Sequence, residues 1–385
     1  MRFMTAPVRQ SLSAAFGEPD GPSMDPHEEL SVTESRDFVV DQLNIMMLQE
    51  KAYSVSFRDL EIYFKRAHVH PATVAANSNT IAFPSPAREP LSCIDCLSGR
   101  KKMCEWAYEV VDYFEYDREV VTVAFNFVDR YTLEVLKNGD EVLDRDLFQT
   151  ICITSLYIAM KLQGPIYVME QSQPQTMAAI VSIRTFVQIS RGLVTVESLE
   201  EMEVKMSSCL KYRLNPPTSG LFTAYLILFL APDNARQVNP FLNFEPLLEE
   251  EMVNIFEVAR YQTELSTFDA RLTMTCQPSC VSAAAILNAM TYLRSRAGGV
   301  SIPENLLDAF QSIMLQILPD ADGDTLNKAR DVLETICPSE SLDRWSGFTV
   351  HAMEKTSDDR ENKLRNEESL TLSPYSVDTR HFHEI

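Results

Sequence analysis

Glycine is scarce in this chain, with 11 among 385 residues. Each glycine weakens a helix interior by about 1 kcal/mol relative to alanine, so its scarcity favours helical structure. Histidine is scarcer still, at positions 27, 68, 70, 351, 381 and 383. None falls in a segment with helical periodicity, so no helix carries two metal-spaced histidines. A Gly-rich phosphate loop and a nucleophile elbow are also missing. These gaps exclude the common catalytic constellations. The expectation is a protein that is not an enzyme and takes no cofactor. Basic residues are outnumbered, 34 Lys and Arg against 55 Asp and Glu, giving a net charge of -21. Such a chain repels phosphate backbones, so nucleic acid is not an expected partner. There is no run of about 18 apolar residues, so no membrane span is expected. The N-terminal stretch has Arg2, Arg9 and no acid before Glu18, a trace of organelle-presequence character. It lacks the apolar core of a secretory signal.

Eight cysteines are present, and without a signal peptide they are expected to be reduced thiols. Cys93 and Cys96 form one C-x-x-C, and a structural zinc site needs a second ligand pair. Only Cys276 and Cys280 offer one, far away in a helical context, with His68 and His70 as further candidates. No metal is expected. Cys104, Cys152 and Cys209 fall inside apolar helical patterns and read as small core residues.

What the chain does have is hydrophobic periodicity: 45% of residues are hydrophobic, and the length suits two to three domains. Residues 1–34 hold prolines, serine and acids without a sustained period and read as disordered. An amphipathic helix is expected from Asp37 to Tyr53, and a second piece from Phe57 to Ala67. Residues 68–98 contain four prolines and read as a loop insertion. Val120, Ala124, Phe127, Val128, Tyr131 and Val135 then recur on one helical face, with Asp117 as a cap and Asn138-Gly139 as a stop. Leu147 to Leu162 is apolar on nearly every side until Lys161, which marks a helix buried among others. Gly164 to Gln175 reads as an inserted loop. Ala178 to Ile189 and Val196 to Tyr212 complete five helices. Pro216-Pro217 marks a boundary. Beyond it, five more helical segments follow, at Thr218–Leu230, Leu247–Leu265, Val281–Arg294, Glu304–Leu318 and Asp324–Ile336. Residues 338–385 are polar and charged and read as a disordered tail.

Three stretches carry a resemblance: Arg100 to Val111, Ala124 to Tyr131 and Leu147 to Leu162. With Leu210-Lys-Tyr-Arg-Leu-Asn-Pro-Pro-Thr218 downstream, their order and spacing resemble the cyclin family over residues 37–336, closely in the first helical set and loosely in the second. The resemblance implies an all-α protein of two tandem five-helix cyclin folds. These follow residues 1–34 and the helix and loop of 35–98, as a cyclin box over 99–215 and a second fold over 216–337. The tail is 338–385.

The resemblance also implies roles. Arg100 and Asp129 correspond to the family's buried ion pair. Lys161 and Glu203 correspond to the pair that meets the backbone of a cyclin-dependent protein kinase, and Leu162, Tyr212 and Leu214 correspond to further kinase contacts. Read from sequence alone, Lys161 is a cation in the last turn of a helix, complementing its dipole, and Glu203 is one acid in an acidic helix. Arg100 and Asp129 alone would be solvated surface charges. Met103, Trp106, Glu109, Phe148 and Gln149 match a patch that docks basic-hydrophobic substrate motifs. There Lys102 replaces an aliphatic residue and Gly99 a methionine, and a lysine repels basic motifs. Thr150 for leucine, Leu162-Gln163-Gly164 for Phe-Glu-Glu, and the long Lys161–Glu203 span are further departures.

The implied function is a regulatory subunit that binds and activates a cyclin-dependent kinase in cell-cycle control, in nucleus or cytoplasm. Kinase substrates are further partners through the patch. Two alternatives stay open: a helical adaptor with this fold that activates no kinase, and a transcription-type cyclin-fold protein, which the acidic balance opposes. Ser85, in Ser-Pro-Ala-Arg88, and Ser373, before Pro374, are candidate phosphorylation sites. Arg9 to Leu12 resembles a destruction box, and Leu91 to Asp95 is one residue from the pocket-protein motif of D-type cyclins.

Overall fold

The computed structural model describes residues 26–56, 58–59, 61, 91, 93–138, 142–163, 182–230, 247, 249–296, 302–318, 322–339 and 341–342. Ser85, Ser373, the Arg9–Leu12 motif, most of the expected Phe57–Ala67 helix and the insertions lie outside those residues. Among the described residues there are twelve α-helices, one 3-10 segment and no strand, so the chain is all-α. No helix is long and apolar enough to cross a membrane among the described residues. The chain forms two compact units, 1–333 and 334–385, and the candidate site belongs to the first.

Helix α1 runs Pro26–Tyr53. It starts upstream of the expected Asp37, within the stretch read as disordered. Proline lacks only an N–H that the first turn leaves unbonded anyway. Leu43 and Met46 are buried, and Glu50 accepts bonds from Ser279 N (3.1 Å) and Ser279 Oγ (2.8 Å).

The first helical set is α2 (Cys93–Tyr113), α3 (Glu119–Asn138), α4 (Arg145–Gln163), α5 (Ile183–Ile189) and α6 (Val196–Cys209). Helix α2 begins before the expected residue 99, because Gly99 is an interior helical residue facing the Phe148 ring, where a methyl would sit 3.6 Å away. Leu91, ahead of it, donates its amide to Leu143 O (2.9 Å) and packs on the core, so the Leu91–Asp95 motif runs into the fold. Asp117 accepts from Glu119 N (2.9 Å), as expected of a cap. Helix α3 buries the predicted face from Val120 to Val135, and α4 is buried continuously from Ile151 to Met160. These two helices pack against each other, with α2, α5 and α6 around α4. Thr195 and Ser198 cap α6 reciprocally, at 3.2 Å and 2.8 Å.

The second set is α7 (Ser219–Leu226, continued by a 3-10 segment to Leu230), α8 (Glu249–Ser266), α9 (Ala270–Thr275), α10 (Pro278–Ser295), α11 (Glu304–Ile317) and α12 (Gly323–Ile336). The five expected helices are joined by α9. It has six residues, too few to show a period, and forms because Asp269 caps Leu272 N at 2.9 Å. Helix α10, rich in alanine, is buried along most of its length and packs on α7, α8 and α11.

Candidate functional site

Three polar clusters fix the first set. Arg100, buried in α2, donates from Nε and Nη2 to the two Asp129 carboxylate oxygens of α3, each at 2.9 Å. The structure thus brings these two together out of solvent. Arg118 binds Asp112 (2.9 and 3.0 Å) and Glu264 of α8 (2.8 Å), while Tyr108 donates to Glu264 O (3.0 Å) and stacks on Phe268. Arg130 of α3 donates to Arg213 O at 2.8 Å and reaches Leu210 O at 3.4 Å. Lys211 and Tyr212 there adopt positive φ, both 54°, an uncommon conformation for non-glycine residues. Arg130 therefore clamps a strained turn at the end of α6. The Asp-Arg-Tyr spacing held this signal, but only its aspartate was assigned a role.

On the outside of this frame, Lys161 in the last turn of α4 donates to Glu203 of α6 at 2.7 Å. The helices fix both ends, since Met160 and Met206 beside them are fully buried. Lys161 Nζ also lies over the Tyr157 ring at 5.6 Å. The bond that Lys161 donates to Glu203 is the main cause that holds the Lys161 pKa above the ordinary lysine value. The pair remains wet: the lysine side chain is 52% exposed and that of Glu203 22%. An ammonium has three protons to give, and one is committed to Glu203. Leu162 is exposed, and so is Tyr212, at 73%. An exposed tyrosine on a clamped turn offers apolar area with one polar end. Leu214 differs, being half-buried against the core.

The second expected patch is less open. Phe148 and Gln149 are turned inward, both buried. Met103, Trp106 and Glu109 are half-buried, and Lys102 is exposed beside them. Burial, then Glu105 and Asp112, pushes the Glu109 pKa up. No group of three or more His, Cys, Asp or Glu suited to a metal ion occurs among the described residues.

Residues 90–215 match the family described as Cyclin, N-terminal domain. This segment is similar to a cyclin N-terminal domain. It covers α2 to α6 and both members of the Lys161–Glu203 pair. Cyclin-A1-2 of Arabidopsis thaliana is 29% identical over 189 residues, 49% of this chain and 35% of that protein. The chain therefore spans about a third of the length of that curated relative. Among solved structures, a viral cyclin from herpesvirus saimiri aligns at 14% identity and TM-score 0.40, covering 64% of this chain and 88% of the other. The CAK complex of Chaetomium thermophilum bound to ATP-gamma-S aligns at 16% identity and TM-score 0.47, covering 79% and 82%. The cyclin domain supports a cyclin-type regulatory role.

Proposed function

We propose that this chain is a cyclin: a non-enzymatic regulatory subunit that binds a cyclin-dependent protein kinase and activates it in cell-cycle control. The observation that carries the reading is the Lys161–Glu203 pair, closed at 2.7 Å and still open to solvent at the junction of α4 and α6. Its free ammonium protons would donate to backbone carbonyls of the kinase, and its carboxylate would accept from backbone N–H groups. Tyr212 and Leu162 supply exposed apolar area, while Leu214 supports the turn from within.

The mechanism is selection among kinase conformations. Phosphoryl transfer needs the kinase's Lys–Glu pair and metal-binding loop assembled. A partner shifts that equilibrium only by its differential affinity for the assembled state. A face set on buried helices suits this, because it changes little on docking. Residues 216–337 are, in this reading, a second copy of the fold, with α10 in the place that α4 holds in the first. Substrate docking through Met103, Trp106 and Glu109 is the weaker part, since Lys102 opposes basic motifs and Phe148 and Gln149 face inward. Action in nucleus or cytoplasm belongs to the same proposal.

The test is co-purification of the full chain from synchronised cells, with mass spectrometry of bound proteins and a kinase assay on the eluate. A cyclin-dependent kinase recovered with the natural chain, and reduced at least tenfold by Lys161→Ala with Glu203→Ala, supports the reading. No kinase recovered, or recovery unchanged by the double substitution, overturns it in favour of a helical adaptor. Retention on DNA at physiological salt would favour the transcription-type alternative.

A further inference from the structure

Helix α1 ends against α3, and three contacts join them there. The Arg130 guanidinium carbon stands over the Tyr53 ring, 4.8 Å from its centre. Asn126, one turn before Arg130, donates from Nδ2 to Tyr53 O at 3.4 Å. Its Oδ1 accepts from Arg130 Nη1 at 3.3 Å. The last turn of α1 is also tied to α10, through the bonds that Glu50 accepts from Ser279. Tyr53, Asn126 and Arg130 are all half-buried.

The same guanidinium holds the turn after α6. Nη1 donates to Arg213 O at 2.8 Å and Nη2 to Leu210 O at 3.4 Å. Those two carbonyls bracket Lys211 and Tyr212, the residues at φ 54°. Leu210 and Pro216 are buried on either side, while Lys211, Tyr212 and Arg213 are exposed. The amides of these three donate to Ser208 O, Ser207 O and Leu210 O, at 2.9, 2.9 and 3.1 Å. Two successive left-handed residues other than glycine persist only where the surroundings over-determine them. Arginine is suited to this and lysine is not. A planar fork reaches two carbonyls and stacks on a ring at once, whereas an ammonium is a point charge.

We propose that Arg130 is a positioning residue for kinase docking, and that Tyr53 makes α1 part of the same device. The inference rests on the kinase-binding reading above and adds how the Tyr212 ring is presented. With the turn held, Tyr212 projects from one backbone conformation, 73% exposed. Without the fork, Lys211 and Tyr212 relax toward the right-handed φ that their side chains prefer. The ring must then be ordered again at each docking event, which weakens binding. Tyr53 acts through Arg130. Its ring keeps the guanidinium in place, so undocking of α1 loosens the turn without touching Lys161 or Glu203.

The experiment uses the full chain and reads the turn and the partner separately. The turn is read as native-state tryptic cleavage after Lys211 and Arg213, quantified by mass spectrometry. The partner is read as cyclin-dependent kinase recovered from synchronised cells. Arg130→Lys should speed cleavage of the turn on the order of tenfold and cut kinase recovery about fivefold, with Lys161 and Glu203 intact. Cleavage after Lys205, inside α6, should stay at the natural rate, whereas a merely destabilising substitution speeds both. Tyr53→Ala should move the turn and the kinase in the same direction by less. Tyr53→Phe, which keeps the ring, should move neither. An unchanged turn in Arg130→Lys, equal acceleration after Lys205, or a released turn with natural kinase recovery would each overturn the inference and leave the kinase reading standing. A natural chain that recovers no kinase overturns both.

Discussion

Arg100 and Asp129 meet through two bonds of 2.9 Å, and a third bond from Arg100 Nη1 to Thr267 O, at 2.6 Å, carries the same guanidinium to the second helical set. Burial alone would lower the arginine pKa; the Asp129 charge and hydrogen bonds outweigh it, and the net shift is upward. Arg100 is 2% exposed and Asp129 7%, so neither can turn to water when its partner is removed. Arg100→Ala and Asp129→Ala should each cost about 3–5 kcal/mol in urea unfolding. The double variant Arg100→Met, Asp129→Leu should cost less than either single one, since it leaves no unpaired charge. Single variants that lose under 1 kcal/mol would show that the two charges reach solvent after all.

The Lys161–Glu203 pair is predicted to behave oppositely. With a lysine side chain 52% exposed, its bond competes with water and contributes about 0–1 kcal/mol to folding. Lys161→Ala with Glu203→Ala should therefore leave the urea midpoint within about 1 kcal/mol of the natural chain and leave far-UV circular dichroism unchanged. This matters for the kinase experiment: binding lost with unchanged stability places the loss on the surface. A double variant that unfolds early would instead mark the pair as structural.

Periodicity made α3 and α4 legible, because both bury one continuous pattern: Val120 to Val135 on a face, Ile151 to Met160 on all sides. The partners of the charges were not legible. Arg100 finds Thr267, Arg118 finds Glu264 and Ser279 finds Glu50 across more than a hundred residues, and no local pattern encodes such a distance. Lys161 looked like a dipole complement, and only the resemblance pointed to Glu203. Phe148 and Gln149 showed the converse limit: their positions matched a docking patch, yet the α2–α4 contact at Gly99 turns Phe148 inward. Helix α9 was missed because one capped turn and a half has no period to read.

Glu119 gives the fold a pH dependence. The residue is half-buried as a whole, but its Oε1 is out of solvent with no hydrogen-bond partner among the described residues. Burial first, then Asp117 and Glu264, push its pKa up to about 7, against the Thr218 bond and the Arg260 charge. Below pH 4.5 the carboxyl is protonated both folded and unfolded and costs nothing. Between pH 4.5 and about 7 the unfolded chain ionises while the folded protein keeps the proton, so stability falls as pH rises. Above about 7 the penalty is complete, on the order of 3 kcal/mol. Asp117 and Glu264 are shifted in the same direction, chiefly by burial, and add to the slope. Glu119→Gln should stabilise the protein at pH 8 and lose most of that advantage at pH 5, measured by urea midpoints at each pH. An advantage equal at both values would mean that the carboxylate is not the source.

Gly220 explains why Glu119 is confined. It lies in the first turn of α7, and a Cβ built there would fall on the Glu119 carboxylate, 2.8 Å from Cδ. Absence of a side chain is thus what lets α7 approach the start of α3. Gly220→Ala should destabilise the protein by about 1–3 kcal/mol, the usual cost of forcing extra volume into packed structure. On a Glu119→Ala background the obstacle is gone, and alanine's better helix propensity should make the same substitution neutral or stabilising by up to about 1 kcal/mol. The four urea midpoints form a double-mutant cycle, and a coupling of about 1 kcal/mol or more is expected for residues in contact. If Gly220→Ala costs the same in both backgrounds, the helix approach is limited by something other than Glu119.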